Sequence, residues 1–358
     1  MKKKNANSAA ENATLDTATT VADVTDKIAD ADTVERSTVA PRNDFGARTK
    51  TLLKKIKTNF LFNWRDYLFY FVLVIIPVVQ FAIMYVAVNF NSILMSFQSY
   101  DKDTGVFSWT GLDNYKAFFT ELGTNSLWKT MFINSTIAFL VAQFITKSLA
   151  VFFSYYIYKK HFGYKVFRVI LFIPSIISSV VTVAVFSQFI DGAFPSILND
   201  WFGMTAQGGL ANQETTFFWI LFYNVWIAFG PSLLIYSSTM NDISPSVTEA
   251  AKIDGCKPFM EFFHIILPNI WPTYVVFTVA TLASYFGNSL SIYAFYGSWA
   301  DDRLYTFGYY LFRNAEIYKG SLEGYPYLST IGVCFTVVLV PIVLGIRKLM
   351  LKLGPSTK

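Results

Sequence analysis

The sequence predicts an all-α integral membrane protein with six transmembrane helices. Of its 358 residues, 53% are hydrophobic, 18% are aromatic and only 15% are charged, and the mean hydropathy is +0.40. A soluble domain carries about 25% charged residues, so this composition favours a chain that lies mainly in lipid. Six stretches are apolar and long enough for a hydrocarbon core that needs roughly 20 helical residues per crossing. We place them near Tyr67–Phe90, Met131–Tyr158, Val166–Ile190, Phe217–Ser238, Ile270–Tyr296 and Tyr325–Ile346.

The chain before the first span is polar and then basic. Residues 1–48 are rich in Ala, Thr, Asp and Asn and contain no apolar run that could form a core, so we expect a disordered cytoplasmic tail. Residues 49–66 form a basic juxtamembrane segment whose apolar side chains recur at roughly helical spacing. This spacing predicts an amphipathic helix on the inner leaflet, and ordinary positive charge beside a span is the alternative. The six-span domain then covers residues 67–352.

Basic residues near the span ends predict the orientation. They cluster before the first span, in the short second connection (Lys159, Lys160, Lys165 and Arg168) and after the last span. The connection 191–216 has no Lys or Arg, so the positive-inside rule places both termini in the cytoplasm. The net charge is +5, and the basic residues lie at span ends. This distribution indicates contact with lipid and not with nucleic acid.

The fourth connection, Ser244–Pro268, has the pattern of a helical hairpin. Ser244 can cap a helix whose first position is Pro245, and Ser246 with Glu249 offers a capping box as an alternative start. By the predicted topology this hairpin lies in the cytoplasm.

A turn and a second helix follow. Gly255 suits the left-handed conformation that ends a helix, and Pro258 suits the first position of the next one. The second helix carries a predicted single apolar stripe at positions i, i+3, i+4 and i+7, formed by Phe259, Phe262, Phe263 and Ile266. A stripe of this kind packs either on the chain's own spans or on a partner.

The residues of this hairpin resemble the EAA signature of the inner-membrane permease subunits of binding-protein-dependent ABC importers. The resemblance lies in residues 249–251, 254–255 and 265–268, with Cys256 where the family usually carries Ala. It implies the type I importer permease fold and a coupling helix that docks on a cytoplasmic ATPase. The coupling role is then expected of Glu249, Ala250, Ala251, Asp254 and Gly255.

Several kinds of chemistry are missing from the sequence. It has no GxxxxGK[ST] phosphate-binding loop, no HExxH and no clustered Cys or His ligands, so we predict no catalytic site, no metal site and no enzyme. The resemblance implies that ATP and Mg are bound by the partner ATPase and that this chain itself holds no cofactor. A secondary sugar transporter is the alternative, although no predicted span carries a central carboxylate.

A wider part of the chain resembles the carbohydrate permeases of the maltose, multiple-sugar and glycerol-phosphate type, in particular their first subunit. The likeness runs through residues 96–101, 109–115 and 174–199. It implies a multi-pass protein of the bacterial cell membrane that imports a sugar or oligosaccharide. The implied partners are a second permease subunit, two cytoplasmic ATPase subunits and an extracellular solute-binding protein.

Two runs are candidates for substrate contact. In the fourth span Gly230 and Pro231 predict a break in mid-membrane, and broken helices often line transport sites. The run before the break resembles the sugar-contacting run of the maltose permease, which points to Asn224, Trp226, Ile227 and Ala228. Tyr285 and Asn288 share a face of the fifth span in a second such stretch. The alternative is that these polar residues only join helices.

Lys147 is the anomalous charge of the predicted spans. It lies 12 residues before Lys159, or roughly 18 Å deeper at 1.5 Å per residue. We expect it to face the protein interior or a wet cavity. An acidic partner or an anionic sugar substrate is one interpretation, and snorkelling or pairing with backbone and a second-subunit residue is the other. An importer of an anionic sugar or of a non-carbohydrate substrate therefore stays open as an alternative.

Overall fold

The computed structural model describes residues 64–205 and 207–355, which form helices and one two-stranded sheet. The predicted tail 1–48 and nearly all of the basic segment 49–66 lie outside the described residues. The chain divides into two compact units, residues 1–83 and residues 84–358.

The regular elements are numbered here in chain order. The α-helices are α1 (Trp64–Phe81), α2 (Val88–Met95), α3 (Asp113–Thr124), α4 (Ser126–Leu140), α5 (Lys147–Tyr158), α6 (Tyr164–Ile176), α7 (Ser179–Gln188), α8 (Phe194–Phe202), α9 (Thr216–Asn241), α10 (Pro245–Ile253), α11 (Pro258–Glu261), α12 (Leu267–Ala283), α13 (Ile292–Tyr296), α14 (Phe307–Ile317) and α15 (Tyr325–Leu353). Wider π-helical turns are Ala82–Ala87, Val141–Thr146, Phe189–Ala193 and Phe262–Ile266, and 3-10 turns are Asp302–Leu304 and Tyr318–Gly320. The strands are β1 (Gln98–Asp101) and β2 (Val106–Trp109).

Six helical segments of the described chain are long and apolar enough to cross a membrane, which confirms the predicted number of spans. They are Leu68–Met95, Ser126–Tyr158, Ser179–Phe202, Thr216–Asn241, Pro258–Ala283 and Tyr325–Leu353. Helix α1, in the first unit, is apolar around nearly its whole circumference from Leu68 onward, as expected of a helix surrounded by other apolar groups.

The third span differs from the prediction. The predicted single helix Val166–Ile190 is wrong, because α6 ends at Ile176 and α7 begins at Ser179. Pro174 lacks an N–H and weakens the last turns of α6. Ile177 is extended. The Ser178 carbonyl then accepts a hydrogen bond from the Thr182 amide, which is the first backbone bond of the new helix. The membrane crossing is therefore made by the segment that begins after this break.

The fifth span is also displaced from the predicted Ile270–Tyr296. The second hairpin helix runs without interruption from Pro258 through a π-helical turn into α12, which ends at Ala283. Beyond it the chain turns, and Leu290 and Ser291 adopt left-handed conformations with φ of 50° and 57°. Composition had suggested that this apolar stretch continues as helix.

In the second unit, the first connection folds as a small hairpin followed by α3. Strands β1 and β2 pair antiparallel, and the Asn114 amide donates to the carbonyls of Ser96 and Gln98. In the turn between β1 and β2, the hydroxyl of Thr104 and the amide of Asp103 donate to the Asp101 carboxylate. These hydrogen bonds lower the pKa of Asp101.

Two buried clusters fix the spans around the candidate site. One, centred on Trp128, Met131, Tyr309 and Ile331, joins α4 to α14 and α15. The other joins α5, α9 and the hairpin end of the fifth span through side chains such as Tyr236, Met240 and Ile266. Trp226 and Ile227 pack on a further cluster of Val183, Phe186, Ile190 and Tyr223, so these substrate candidates and the hairpin rest on separate cores.

Candidate functional site

The hairpin between the fourth and fifth spans has the predicted helix–turn–helix form. Ser244 occupies the N-cap position and Pro245 the first helical position of α10. The Ser244 hydroxyl pairs with the Ser246 hydroxyl at 2.8 Å and not with a backbone amide. The fixed φ of proline is thus the main local feature that starts this helix, and the alternative start at Ser246 is not used.

The turn is a Schellman motif centred on Gly255. This residue has φ +73°, and its amide donates to the Lys252 carbonyl at 3.1 Å. The Cys256 amide donates to the Ala251 carbonyl at 2.9 Å, which completes the motif. Only the amide of Cys256 is required here, so cysteine in place of alanine leaves the turn intact.

Most of the residues with a predicted coupling role are open to solvent. Glu249, Ala250, Asp254 and Gly255 are exposed, whereas Ala251 is buried. Large apolar side chains beside them are exposed as well, with Ile253 at 87% and Phe259 at 71%. We call this surface the hairpin face, and it comprises Val247, Ile253, Phe259, Met260 and Phe263 together with the exposed signature residues.

The predicted single apolar stripe is divided between two directions. Phe262 and Ile266 are buried against α5 and α9, whereas Phe259 and Phe263 remain exposed. The cause is the π-helical turn Phe262–Ile266, which adds a residue per turn and rotates the following side chains away from ideal α-helical phase. One part of the stripe belongs to the core and the other to the hairpin face.

The predicted break in the fourth span is wrong. Helix α9 runs through Gly230 and Pro231 without interruption. A Cβ on Gly230 would meet Ser175 and the backbone of Phe172, so this glycine allows α9 to approach α6 closely. The irregular backbone near the substrate candidates lies instead at residues 177–178 and 284–291.

Asn224 and Asn288 meet at one turn. The Asn224 amide donates to the carbonyls of Ile220 and Leu290, each at 2.8 Å. The Asn288 side chain accepts from the Leu290 amide at 3.0 Å. Both predicted residues therefore hold the left-handed Leu290–Ser291 pair in place, which accords with the helix-joining alternative.

The remaining substrate candidates lie in different surroundings. The Tyr285 hydroxyl pairs with that of Thr136 at 2.8 Å. Trp226 stacks on Phe186 with ring centroids 6.1 Å apart and lines an apolar cavity of about 440 Å³ walled by aromatic rings. Ile227 is half-buried and Ala228 is exposed. The structure thus does not bring all six candidates to one surface.

A hydroxyl-lined cavity that sequence reasoning missed lies beside the turn. It has about 460 Å³ and is lined by Ser179, Val180, Ser289, Ser291, Tyr293, Ala294 and Phe312. Ser179 begins α7 after the break in the third span, and Tyr293 packs edge-on against Phe312 at 4.9 Å. The signal in the sequence was the serines that interrupt apolar runs at 178–179 and 289–291. A few hydroxyls placed among apolar and aromatic side chains are typical of small-molecule sites in concave pockets.

Lys147 faces the protein interior, with 7% of its surface exposed. Its ammonium donates to Gln143 at 2.5 Å, to the Phe277 carbonyl at 3.0 Å and to the Thr278 hydroxyl at 3.3 Å. Within residues 64–205 and 207–355 it forms no ion pair, so of the two interpretations the structure shows pairing with backbone and neutral side chains.

Comparison with known proteins gives consistent results. Residues 147–352 match the family described as the binding-protein-dependent transport system inner membrane component. The chain is 31% identical over 185 residues to the probable ABC transporter permease protein YesP of Bacillus subtilis, which covers 51% of this chain and 58% of that protein. It is 25% identical over 219 residues to the arabinooligosaccharides transport system permease protein AraP of the same organism, covering 58% and 66%. The chain thus spans less than two thirds of either relative.

A solved structure shares the fold. A chain of a bacterial ABC transporter involved in the import of the acidic polysaccharide alginate superimposes with a TM-score of 0.68 at 20% sequence identity. The match covers 86% of the present chain and all of the other.

Proposed function

Because this chain belongs to the family of inner membrane components of binding-protein-dependent transport systems, a multi-pass family of the bacterial plasma membrane, we propose that it is one permease subunit of an ATP-driven importer. Its partners are a second permease subunit, two cytoplasmic ATPase subunits and an extracellular solute-binding protein. Its substrate is a sugar or oligosaccharide, and both of its termini are cytoplasmic.

The hairpin face is the observation that carries this proposal. A short helix ending in a Schellman turn presents Ile253 and Phe259 to solvent beside the exposed Glu249 and Asp254. Among the described residues nothing covers these large apolar side chains, and exposed apolar patches rimmed by polar residues are typical of protein interfaces. The ATPase docks here and binds the ATP and Mg, since this chain has no phosphate-binding loop.

The substrate passes the hydroxyl-lined cavity beside Leu290–Ser291. The side chains of Ser179, Ser289 and Ser291 have no hydrogen-bond partner in the described part of the chain, so they are available to sugar hydroxyls. Asn224 and Asn288 act by holding the turn that carries two of these serines. Trp226 of α9 lines the separate aromatic cavity, where it offers an apolar face to a sugar ring.

Lys147 does not favour an anionic substrate over a neutral one. Its three hydrogen bonds occupy the donors of the ammonium group, and little of its surface is open to a ligand. A neutral sugar or oligosaccharide is therefore the substrate class that we propose.

Uptake by liposomes tests this function. The chain is co-purified with its partner subunits and reconstituted with the solute-binding protein outside and ATP inside. We expect accumulation of a labelled neutral oligosaccharide that requires both ATP hydrolysis and the binding protein. Uptake by this chain alone under an ion gradient, without an ATPase, would instead establish a secondary transporter.

A further inference from the structure

Helix α5 is fastened to the hairpin at its cytoplasmic end by an ion pair. The Lys159 ammonium, directly after α5, lies 2.5 Å and 2.6 Å from the two carboxylate oxygens of Glu261. The Glu261 side chain is only 4% exposed and that of Lys159 18%. The Tyr155 hydroxyl adds a hydrogen bond to the Pro258 carbonyl at 3.0 Å. Charge and hydrogen bonding thus join the end of the second span to the second hairpin helix.

The N-terminal end of α5 is bonded to α12, which continues the second hairpin helix into the fifth span. Lys147, its first residue, donates to the Phe277 carbonyl and the Thr278 hydroxyl of α12. Gln143, one turn earlier, donates to Thr278 at 3.2 Å. The 12 residues of α5 are therefore held at both ends by the helix that begins in the hairpin.

Helix α5 is also bonded to the fourth span, which carries four of the substrate candidates. The Ser154 hydroxyl in the middle of α5 donates to the Leu233 carbonyl of α9 at 3.2 Å. Met240 of α9 belongs to the same buried cluster as Ala150 of α5 and Phe262 of the hairpin helix. The hairpin helix is thus linked to α5 and α5 to α9.

Sliding between these helices is opposed by the cost of unpaired charge. If α5 moved by one helical turn along the fifth span, Glu261 and Lys147 would lose their partners in surroundings that exclude water. A buried charge without a partner is strongly unfavourable, whereas the pair itself contributes little net stability. Fixing the register between elements is the best-attested use of such pairs.

Building on the proposed function, we propose that Lys159 and Glu261 are positioning residues of the transport cycle. Together with Lys147 they make α5 and the fifth span a single brace, which converts movement of the docked hairpin into movement of the fourth span, whose Asn224 holds the turn beside the hydroxyl-lined cavity. Neither residue belongs to the EAA-like signature, and neither lines the hydroxyl-lined cavity.

The number of ATP molecules hydrolysed per sugar imported tests the brace in the complete reconstituted transporter. For Glu261→Gln and Lys159→Gln we expect this ratio to rise about tenfold, within the usual range of coupling between sites. ATP hydrolysis per assembled complex stays near wild type. Lys159→Arg retains the ion pair and therefore keeps a ratio close to that of the wild type.

A double variant separates the interaction from a general effect on folding. Lys159→Gln combined with Glu261→Gln leaves no unpaired charge, so it assembles even if a single variant does not. We expect its ratio to equal that of the worse single variant, because the shared interaction is already lost. Lys165→Gln and Asp242→Asn remove one exposed charge each from the same side and serve as matched controls with an unchanged ratio.

Three results would contradict the brace. The first is a wild-type ratio in the assembled double variant, and the second is additive effects of the two single changes. The third is a parallel loss of hydrolysis, uptake and assembled complex, because that would indicate a merely structural pair. The proposed function fails separately, if the wild-type complex itself shows no ATP-driven uptake.

Discussion

The hairpin and the turn at Leu290–Ser291 both contain left-handed residues, but they are held in different ways. In the hairpin the left-handed residue is Gly255, and the bonds that close the turn span at most five residues. At the second turn the left-handed residues are a leucine and a serine, held by the Asn224 amide 66 residues away. The first turn is a local structure, whereas the second depends on the packing of the fourth span.

This difference bears on how each region works. A locally specified hairpin keeps its shape when it moves as a body. A turn held by a distant side chain changes when the helices around it change. Substitutions in the two regions should therefore fail in different ways.

The largest effect is expected at the hairpin turn. Gly255→Pro should reduce uptake to background, because proline cannot adopt φ +73° and loses the bond to Lys252, at a cost of about 3 kcal/mol or more. The complex should still reach the membrane, as measured by its amount in purified membranes. Gly255→Asn is the matched control and should retain most uptake, since asparagine tolerates the left-handed region. Normal uptake by the proline variant would show that transport does not depend on this turn.

A smaller effect, shared between stability and uptake, is expected at Asn224. Asn224→Leu leaves the Leu290 carbonyl unpaired, at a cost of about 1–3 kcal/mol, and releases the strained turn. The Tm of the purified complex and its uptake should therefore fall together. Asn269→Leu is the control, because that amide donates only within its own helix, to Ile265. Loss of uptake at an unchanged Tm would indicate that Asn224 contacts the sugar directly instead.

The smallest effect is expected in the hydroxyl-lined cavity. Ser289→Ala removes one hydroxyl that has no hydrogen-bond partner among the described residues, so stability should not change. The sugar concentration for half-maximal uptake should rise a few-fold, since one hydrogen bond contributes about 0.5–1.5 kcal/mol. Ser196→Ala, at an exposed serine bonded within its own helix, should leave this concentration unchanged. An unchanged half-maximal sugar concentration for Ser289→Ala would show that the cavity is not part of the transport pathway.

Sequence reasoning succeeded where one or two residues decide the backbone. Pro245, Gly255 and Pro258 specified both hairpin helices and the turn between them. The family inferred from the hairpin and from the carbohydrate-permease likeness is confirmed by the match over residues 147–352. The number of spans followed from the lengths of apolar runs, because a bilayer sets the minimum length of each crossing.

It failed where the partner of a side chain decides the outcome. Gly230 and Pro231 suggested a break, but the close approach of α6 explains the glycine while α9 remains a helix. The apolar run to Tyr296 suggested continuous helix, although the amide of Asn224 and the hydroxyl of Thr306 hold a turn there. Neither neighbour can be read from the local sequence.

The sequence by itself determined that this is a six-span membrane protein with a helix–turn–helix hairpin between its fourth and fifth spans, because proline, glycine and apolar runs act within their own few residues. Only the tertiary structure decided which serines line a cavity, that Lys147 is satisfied inside the protein and that Lys159 meets Glu261, 102 residues later. The reason is that these contacts join helices far apart in the chain, and the rotation of each helix about its axis is set by packing against its neighbours.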